Sequence, residues 1–287
     1  MIDLHVHSNC SDGTDDLKSL IENVNLANIK CFALTDHDTA EGCRRILLDE
    51  DFQEKLTNYN IEFVCGAEWT CIYQKQKMHI LAYNFNPFDE RILALEKKMR
   101  DMLDEKDRLR MVYLEDMGYH LSEKSKDYLS KKENVRSMDF AKCLVDDGYF
   151  DEMEKAFKEC LNTIKYPFSC RFDALEILPI LKDCGAKVVW AHSIYDLKRK
   201  VTSYEEVDRI IKELKPYGLD GLECYYSLYQ KEEIESLVDI ANNNGLFKTC
   251  GSDYHGKNKV VSLGQFSANN DVDVVLNRKN FKTFLEG

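Results

Sequence analysis

The feature that most constrains the fold is a repeat of short apolar segments of strand length that end in a histidine or a carboxylate. In the first segment, Leu4 and Val6 alternate with His5 and His7, so a strand would present both imidazoles on one face. Segments with the apolar spacing of a helix separate most of these strands. The pattern therefore predicts an α/β fold in which strands and helices alternate.

Seven strands are predicted, and six of them end in or contain His, Asp or Glu. They lie at residues 2–7, 30–35, 61–69, 78–83, 187–191, 220–226 and 247–251. In a barrel of parallel strands the carboxyl ends meet at one face, so side chains far apart in the chain converge there. A doubly wound open sheet is the alternative, but it would place polar residues mainly at one crevice. The sequence favours the barrel.

The alternation of strands and helices stops between residues 87 and 165. Apolar residues there keep a helical spacing from Ile92 to Met117, and two shorter helical segments follow. We therefore predict a barrel formed by residues 1–86 and 166–287, with a helical insertion at 87–165 that caps the substrate.

Charge and cysteine usage limit the partners and the compartment. The net charge of −12, from 39 basic and 51 acidic residues, argues against binding of long nucleic acid but allows a small anionic substrate. The apolar runs are too short to span a bilayer, and no signal peptide follows Met1, so we expect a cytoplasmic protein without a membrane partner. The eleven cysteines include no Cys-x-x-Cys pair, which indicates free thiols.

The polar residues at the strand ends form an ordered series of motifs. They are His5-Val6-His7 with Asp12-Gly13-Thr14, Thr35-Asp36-His37-Asp38, Gly66-Ala67-Glu68-Trp69, His79, Ala191-His192 and Gly251-Ser252-Asp253-Tyr254-His255. This series resembles the successive motifs of the polymerase and histidinol phosphatase (PHP) family of metal-dependent phosphoesterases. The helical insertion further resembles the branch of nucleotide phosphatases that act on 3′,5′-bisphosphonucleotides, some of which also trim RNA from its 5′ end.

The resemblance implies a distorted (β/α)7 barrel that holds two or three divalent metal ions, often manganese. Nine positions correspond to the family's metal ligands: His5, His7, Asp12, His37, Glu68, His79, His192, Asp253 and His255. Glu68 corresponds to a carboxylate that bridges two cations. A set of six imidazoles and three carboxylates suits manganese, iron or zinc and disfavours calcium or magnesium, which prefer oxygen ligands. The implied nucleophile is a metal-activated water rather than a side chain.

Two further residues leave two interpretations open. The nucleotide-phosphatase branch tends to show an Arg-Pro-His run in its insertion, and this chain has Arg136-Ser137-Met138 instead. Arg136 is therefore either a substrate-binding residue that contacts phosphate or an ordinary surface arginine. Glu223 is either a support for a ligand histidine or a hydrogen-bonded carboxylate at a strand end.

The expected function is hydrolysis of a phosphomonoester, most simply of a small nucleotide such as a 3′,5′-bisphosphonucleotide. The alternatives are a 5′-to-3′ exonuclease acting on short 5′-phosphorylated RNA, a phosphatase acting on a sugar or amino-alcohol phosphate such as histidinol phosphate, and a metal-stabilised partner module without catalysis. An amidohydrolase also begins with His-x-His on a barrel strand, but it usually uses a carboxylated lysine where this chain has Glu68 and His79.

Overall fold

A computed structural model of the chain describes residues 1–132, 135, 137–167, 170–197, 203–266 and 278–286. The chain forms two compact units, which are residues 1–96 with 172–287 and residues 97–171. The insertion was expected at 87–165, and the second unit begins later than that because the helix that enters it starts in the first unit, at Glu90. We call the first unit the barrel unit and the second the helical unit.

The barrel unit contains one sheet of eight strands. The strands are β1 (Ile2–Val6), β2 (Cys31–Leu34), β3 (Glu62–Tyr73), β4 (Gln76–Tyr83), β5 (Phe172–Asp173), β6 (Lys187–Trp190), β7 (Gly221–Tyr226) and β8 (Phe247–Gly251). Their order is β1-β2-β3-β4-β6-β7-β8, and β5 pairs with β3. Hydrogen bonds from Asp253 N to the His5 carbonyl and from His7 N to the Tyr254 carbonyl join the chain after β8 to β1. The sheet is therefore a nearly closed barrel, as predicted.

One strand of the barrel does not follow the predicted direction. The main strands are parallel to their neighbours except β4, which is antiparallel to both β3 and β6. The expectation of a wholly parallel barrel is therefore wrong at β4. Only Gln74 and Lys75 connect β3 to β4, and both have positive φ, as a two-residue hairpin turn requires. A connection of two residues is too short to cross over to a parallel strand, so β4 must run antiparallel to β3. This reversed strand distorts the barrel.

Twelve α-helices lie in the described parts of the chain. They are α1 (Leu17–Leu26), α2 (Glu41–Leu48), α3 (Glu50–Asn58), α4 (Glu90–Asp116), α5 (Glu123–Ser130), α6 (Ser137–Asp146), α7 (Met153–Glu159), α8 (Ala174–Asp183), α9 (Ser193–Leu197), α10 (Tyr204–Leu214), α11 (Lys231–Asn243) and α12 (Arg278–Glu286). The apolar spacing from Cys43 to Tyr59 predicts one helix, but the structure divides this segment into α2 and α3. Asp49 causes the break, because its side chain accepts hydrogen bonds from the amides of Asp51 and Phe52 and so caps α3.

The two units have separate interiors. In the barrel unit every residue of β1 is buried, as is His7 after it, so both histidines and the apolar side chains of the strand lie inside the protein. In the helical unit, residues from α4 to α7 surround an apolar cluster that includes Leu114, Leu129, Phe140 and Leu144. None of the eleven cysteines, all of which lie in the described part of the chain, forms a disulfide, as expected from their spacing.

Candidate metal centre

Six of the seven histidines of the chain gather in the barrel unit, and five of them contact a single carboxylate. That carboxylate is Glu68, which is fully buried. Its Oε2 atom lies 3.1 Å from His5 Nε2, 3.2 Å from His7 Nε2 and 3.2 Å from His37 Nδ1. Its Oε1 atom lies 2.8 Å from His192 Nε2 and 3.2 Å from His79 Nδ1. Glu68 is therefore the carboxylate that joins five of the six histidines.

The strand arrangement explains how His37 and His79 reach Glu68. The segment after β2 pairs with β3, since Glu68 N donates to the Asp36 carbonyl and Asp38 N donates to the Glu68 carbonyl. This places His37 next to Glu68. His79 lies opposite Thr70 on the antiparallel strand β4, two residues beyond Glu68 on the same face. Because β4 runs in reverse, its histidine is in the first half of the strand rather than at the carboxyl end.

The other two carboxylates extend the cluster towards β8. Asp253 Oδ1 lies 3.5 Å from His5 Nε2, 3.3 Å from His7 Nε2 and 3.3 Å from His255 Nδ1. Asp12 Oδ1 lies 3.2 Å from His255 Nε2 and 3.8 Å from His7 Nδ1. All nine residues that the sequence analysis proposed as ligands thus lie in one continuous cluster.

The donor atoms fall into three groups, within each of which the atoms lie within 4.8 Å of one another. The groups are His7, Asp12, His37 and His255; His5, His7, Glu68 and Asp253; and His37, Glu68 and His79. His7, His37 and Glu68 each belong to two groups, so neighbouring cations would share ligands. His192 stands outside these groups and joins the cluster through its contact with Glu68.

Buried atoms without hydrogen bonds show that the cluster fits metal ions. His5 Nε2, His7 Nε2 and Glu68 Oε2 are buried and have no hydrogen-bond partner of suitable geometry, although they lie close together. Buried polar atoms are rarely left in this state, because each carries a desolvation cost. Imidazole nitrogens and a carboxylate oxygen that converge in this way are the donor set of a transition-metal site. The cluster is able to bind metal ions.

The charges of the cluster are strongly coupled. Burial alone would raise the pKa of the Glu68 carboxyl, but the imidazoles, those of His37 and His5 foremost, hold it well below its usual value. Burial alone would lower the pKa of His5, but Glu68, Glu223 and Asp253 outweigh it and raise this pKa to about 10. The pKa of Asp253 is likewise held well below its usual value, chiefly by His5, against the effect of burial. The carboxylates are therefore in the ionised form that binds cations.

Two proposed ligands have unusual backbone conformations. His192 has φ +28° and Asp253 has φ +56°, a region that residues other than glycine rarely adopt. Hydrogen bonds hold both in place, since His192 N donates to Glu223 Oε2 and Asp253 N donates to the His5 carbonyl. Backbone strain of this kind is typical of functional sites, where the surrounding structure stabilises it.

Glu223 supports two histidines of the cluster. It is fully buried, and its Oε1 atom lies 2.9 Å from His5 Nδ1 while its Oε2 accepts the His192 amide at 2.8 Å. Since a carboxylate can only accept, Nδ1 of His5 carries a proton, and Nε2 is the nitrogen that faces the cluster and that a cation would bind after displacing its proton. Of the two interpretations of Glu223, the structure favours support of a ligand.

Sequence reasoning missed two buried aspartates that shape the cluster. Asp36 accepts hydrogen bonds from Ser8 N, Ser8 Oγ and Ser11 Oγ at 2.6–2.8 Å, which fixes the turn between His7 and Asp12. Asp3 accepts from Ser252 N and Ser252 Oγ at 3.0 and 2.6 Å, which fixes the end of β8. Both lie two or fewer residues from a motif histidine, but no sequence signal distinguishes them from ligands.

A cavity of about 120 Å³ opens onto the cluster. Five of the proposed ligands line it, and Lys77, Lys259, Tyr195 and Tyr226 complete its wall. Sequence analysis identified none of these four. Arg136, the proposed substrate-binding residue, lies outside the described residues.

Comparison with known proteins agrees with this geometry. The chain matches the PHP domain over residues 3–171. It is 25% identical to a 3′,5′-nucleoside bisphosphate phosphatase of Chromobacterium violaceum over 88% of this chain and 87% of that protein. It is 24% identical to a 5′-3′ exoribonuclease of Haemophilus influenzae over 92% of this chain and 93% of that protein.

The fold has a close structural counterpart. The crystal structure of a protein from Bifidobacterium adolescentis, described as a metal-dependent phosphoesterase, superimposes with a TM-score of 0.72 at 26% identity and covers 96% of this chain and 95% of its own. No helix in the described part of the chain is long and apolar enough to span a membrane. The domain match covers more than half of the chain and contains the first six of the clustered residues, so the chain belongs to the PHP family of metal-dependent phosphoesterases.

Proposed function

We propose that this protein hydrolyses a phosphomonoester of a small nucleotide, such as a 3′,5′-bisphosphonucleotide, with two or three divalent cations bound by the nine clustered residues. The observation that carries the proposal is the convergence of five imidazoles on Glu68, with donor groups that share ligands around it. Manganese is the favoured metal and iron or zinc the alternatives, because imidazole-rich sites disfavour calcium and magnesium.

Bound divalent cations would supply a water of lowered pKa and would neutralise the charge of the phosphate oxygens. The residues of the chain do the rest. Glu68 and Asp253, held ionised by the imidazoles, provide the negative charge that retains cations in a buried site. Glu223 orients His5, and Asp36 orients the turn that carries Asp12. No side-chain nucleophile is required.

The volume of the cavity and the net charge of the protein support a small substrate. A cavity of about 120 Å³ is well below the roughly 300–1,000 Å³ that encloses a whole small-molecule ligand, so it suits a phosphate group whose carrier extends outwards. The net charge of −12 opposes binding of long nucleic acid. The similarity to the Chromobacterium violaceum phosphatase supports a bisphosphorylated nucleotide. The substrate-capping role of the helical unit and the phosphate contact of Arg136 are parts of this proposal that rest on the sequence.

A 5′-to-3′ exonuclease acting on short RNA is the second candidate, and the similarity to the Haemophilus influenzae exoribonuclease favours it. Both reactions need the same cluster, and they differ in whether the substrate extends beyond one nucleotide. A cytoplasmic location, expected from the sequence, is consistent with either reaction.

Phosphate release by the metal-reconstituted protein tests the proposal. The panel contains adenosine 3′,5′-bisphosphate, mononucleotides, histidinol phosphate and a short 5′-phosphorylated RNA. We expect the highest kcat/KM for the bisphosphate. Faster release of mononucleotides from the RNA would favour the exonuclease, and no turnover of any substrate by fully metal-loaded protein would contradict the proposed function.

A further inference from the structure

The cavity over the metal cluster has a buried floor and a charged rim. Glu68, His79 and Asp253 are at least nine-tenths buried and form the floor. Lys77 is exposed and Lys259 has 37% of its side chain exposed, yet both line the same cavity. Two lysines, both more exposed than this floor, therefore line a cavity whose other residues include two carboxylates and three imidazoles.

The fold places Lys77 at the rim through the reversed strand. Lys77 precedes His79 by two residues on β4, so both side chains lie on one face of the strand. In the antiparallel register Lys77 lies opposite Ile72, and His79 lies opposite Thr70. Thr70 and Ile72 are on the same face of β3 as Glu68, so Lys77 and His79 extend that face onto β4. Lys77 therefore lies on the same face of β4 as the proposed ligand His79, two residues nearer the start of the strand.

Lys259 lines the cavity from a different part of the chain, the segment after β8. Its ammonium group forms an ion pair with Asp253 Oδ2, which also accepts a hydrogen bond from the Tyr226 hydroxyl at 2.9 Å. The other oxygen of this carboxylate, Oδ1, is the one that faces His5 and His7. A cation bound among the imidazoles would use Oδ1, so Lys259 need not leave when the metal site is filled.

We infer that Lys77 and Lys259 bind the phosphate group that is not cleaved, and so make the cavity selective for bisphosphorylated substrates. The inference rests on the proposed function. Cations in the cluster neutralise only the phosphate undergoing hydrolysis, and a second phosphate at the entrance of a chain of net charge −12 needs its own positive charges. Ammonium groups on flexible side chains at a partly open rim provide them. This anchor belongs to the barrel unit and does not depend on Arg136.

The test compares two substrates in three alanine variants. Lys77→Ala and Lys259→Ala should each raise KM for adenosine 3′,5′-bisphosphate about tenfold or more, the usual effect of losing a charged hydrogen bond, and leave KM for p-nitrophenyl phosphate within about twofold. Lys257→Ala is the matched control, because Lys257 is exposed in the same segment and is not part of the cavity wall. It should change neither KM.

Two further measurements separate phosphate binding from an indirect effect on the metals. Elemental analysis should show unchanged metal content in both lysine variants, and Lys259→Arg, which keeps the positive charge, should recover most of the affinity for the bisphosphate. Equal losses on both substrates, or a loss of metal that accounts for the lower activity, would overturn the inference.

The inference and the proposed function fail in different ways. If wild-type protein hydrolyses p-nitrophenyl phosphate and the bisphosphate but the lysine variants keep the same preference between them, the inference is wrong and the function stands. If metal-loaded wild-type protein releases phosphate from nothing, the function is wrong, and calorimetric binding of the same bisphosphate tests the lysines instead. Binding about tenfold weaker in the variants would then support the anchor, and equal binding would overturn it.

Discussion

The barrel unit and the helical unit both bury ionisable side chains, but they satisfy them differently. In the barrel unit, six imidazoles and three carboxylates converge and leave buried nitrogen and oxygen atoms without hydrogen bonds. In the helical unit, Arg110 is buried beside Phe140 and its guanidinium donates to Asp107, Ser137 and Tyr166 at 2.6–3.0 Å. The charge of Arg110 is thus satisfied within the chain, whereas the barrel cluster has buried atoms without partners that fit a bound cation.

This difference indicates what each set of buried charges is for. A buried ion whose donors all have partners is a structural element, and removing it should cost stability. A buried cluster with unsatisfied donors lowers stability until cations bind to it, and removing one member should cost activity before it costs the fold. The described residues of the helical unit contain none of the three metal-competent groups. The predictions below test this separation.

The largest effect is expected from Glu68→Gln. Losing the negative charge from the centre of the cluster should weaken the binding of cations that share this carboxylate and reduce kcat by more than about 100-fold. The circular dichroism spectrum should not change, because β3 keeps its pairing with β2 and β4. Glu62→Gln, on the same strand and outside the cluster, is the control. Activity of Glu68→Gln near that of the wild type would remove Glu68 from its central role.

A smaller loss is expected from Glu223→Gln. A glutamine retains one acceptor oxygen, so it cannot serve both His5 Nδ1 and the His192 amide. Loss of such support for a ligand histidine typically reduces activity or metal affinity about 10- to 100-fold. Titration of the metal-free variant with manganese, followed by activity, measures the effect. Glu235→Gln on α11, which is exposed, should bind manganese like the wild type.

The reverse result is expected for the helical unit. Arg110→Ala should destabilise that unit by about 2–3 kcal/mol, because it removes three hydrogen bonds from a charged buried group, and leave the metal content unchanged. Hydrogen exchange of peptides from α4 to α6 measures the local effect. Arg108→Ala, two residues away with 63% of its side chain exposed, should show no measurable change in exchange. Loss of metal from Arg110→Ala would contradict the assignment of a structural role to Arg110 and of metal binding to the barrel unit.

The sequence predicted the clustering of the nine proposed ligands better than it predicted their surroundings. His5 and His7 are recognisable because side chains alternate between the two faces of an extended chain, so residues two apart lie on one face. The reversal of β4 was missed because the turn at Gln74 and Lys75 adopts positive φ without glycine or asparagine, the usual signal of such hairpins. Its consequence, that Lys77 joins the site, was missed with it.

Contacts between distant parts of the chain explain the remaining failures. Glu223 lies 218 residues from His5, and the sequence could only leave its role open between two interpretations. Lys259 enters the site through an ion pair with Asp253 that depends on the path of the segment after β8. Asp49, by contrast, is a typical helix cap followed by two acidic residues, which is a local sequence signal for a helix start between α2 and α3.

The central claim is that the barrel cluster is a metal centre with more than one ion. Elemental analysis of protein purified without chelator and reconstituted with manganese tests this claim most directly. The shared ligands His7, His37 and Glu68 predict at least two transition-metal ions per chain, and Glu68→Gln should retain fewer than the wild type. Less than one ion per wild-type chain after reconstitution would contradict the account.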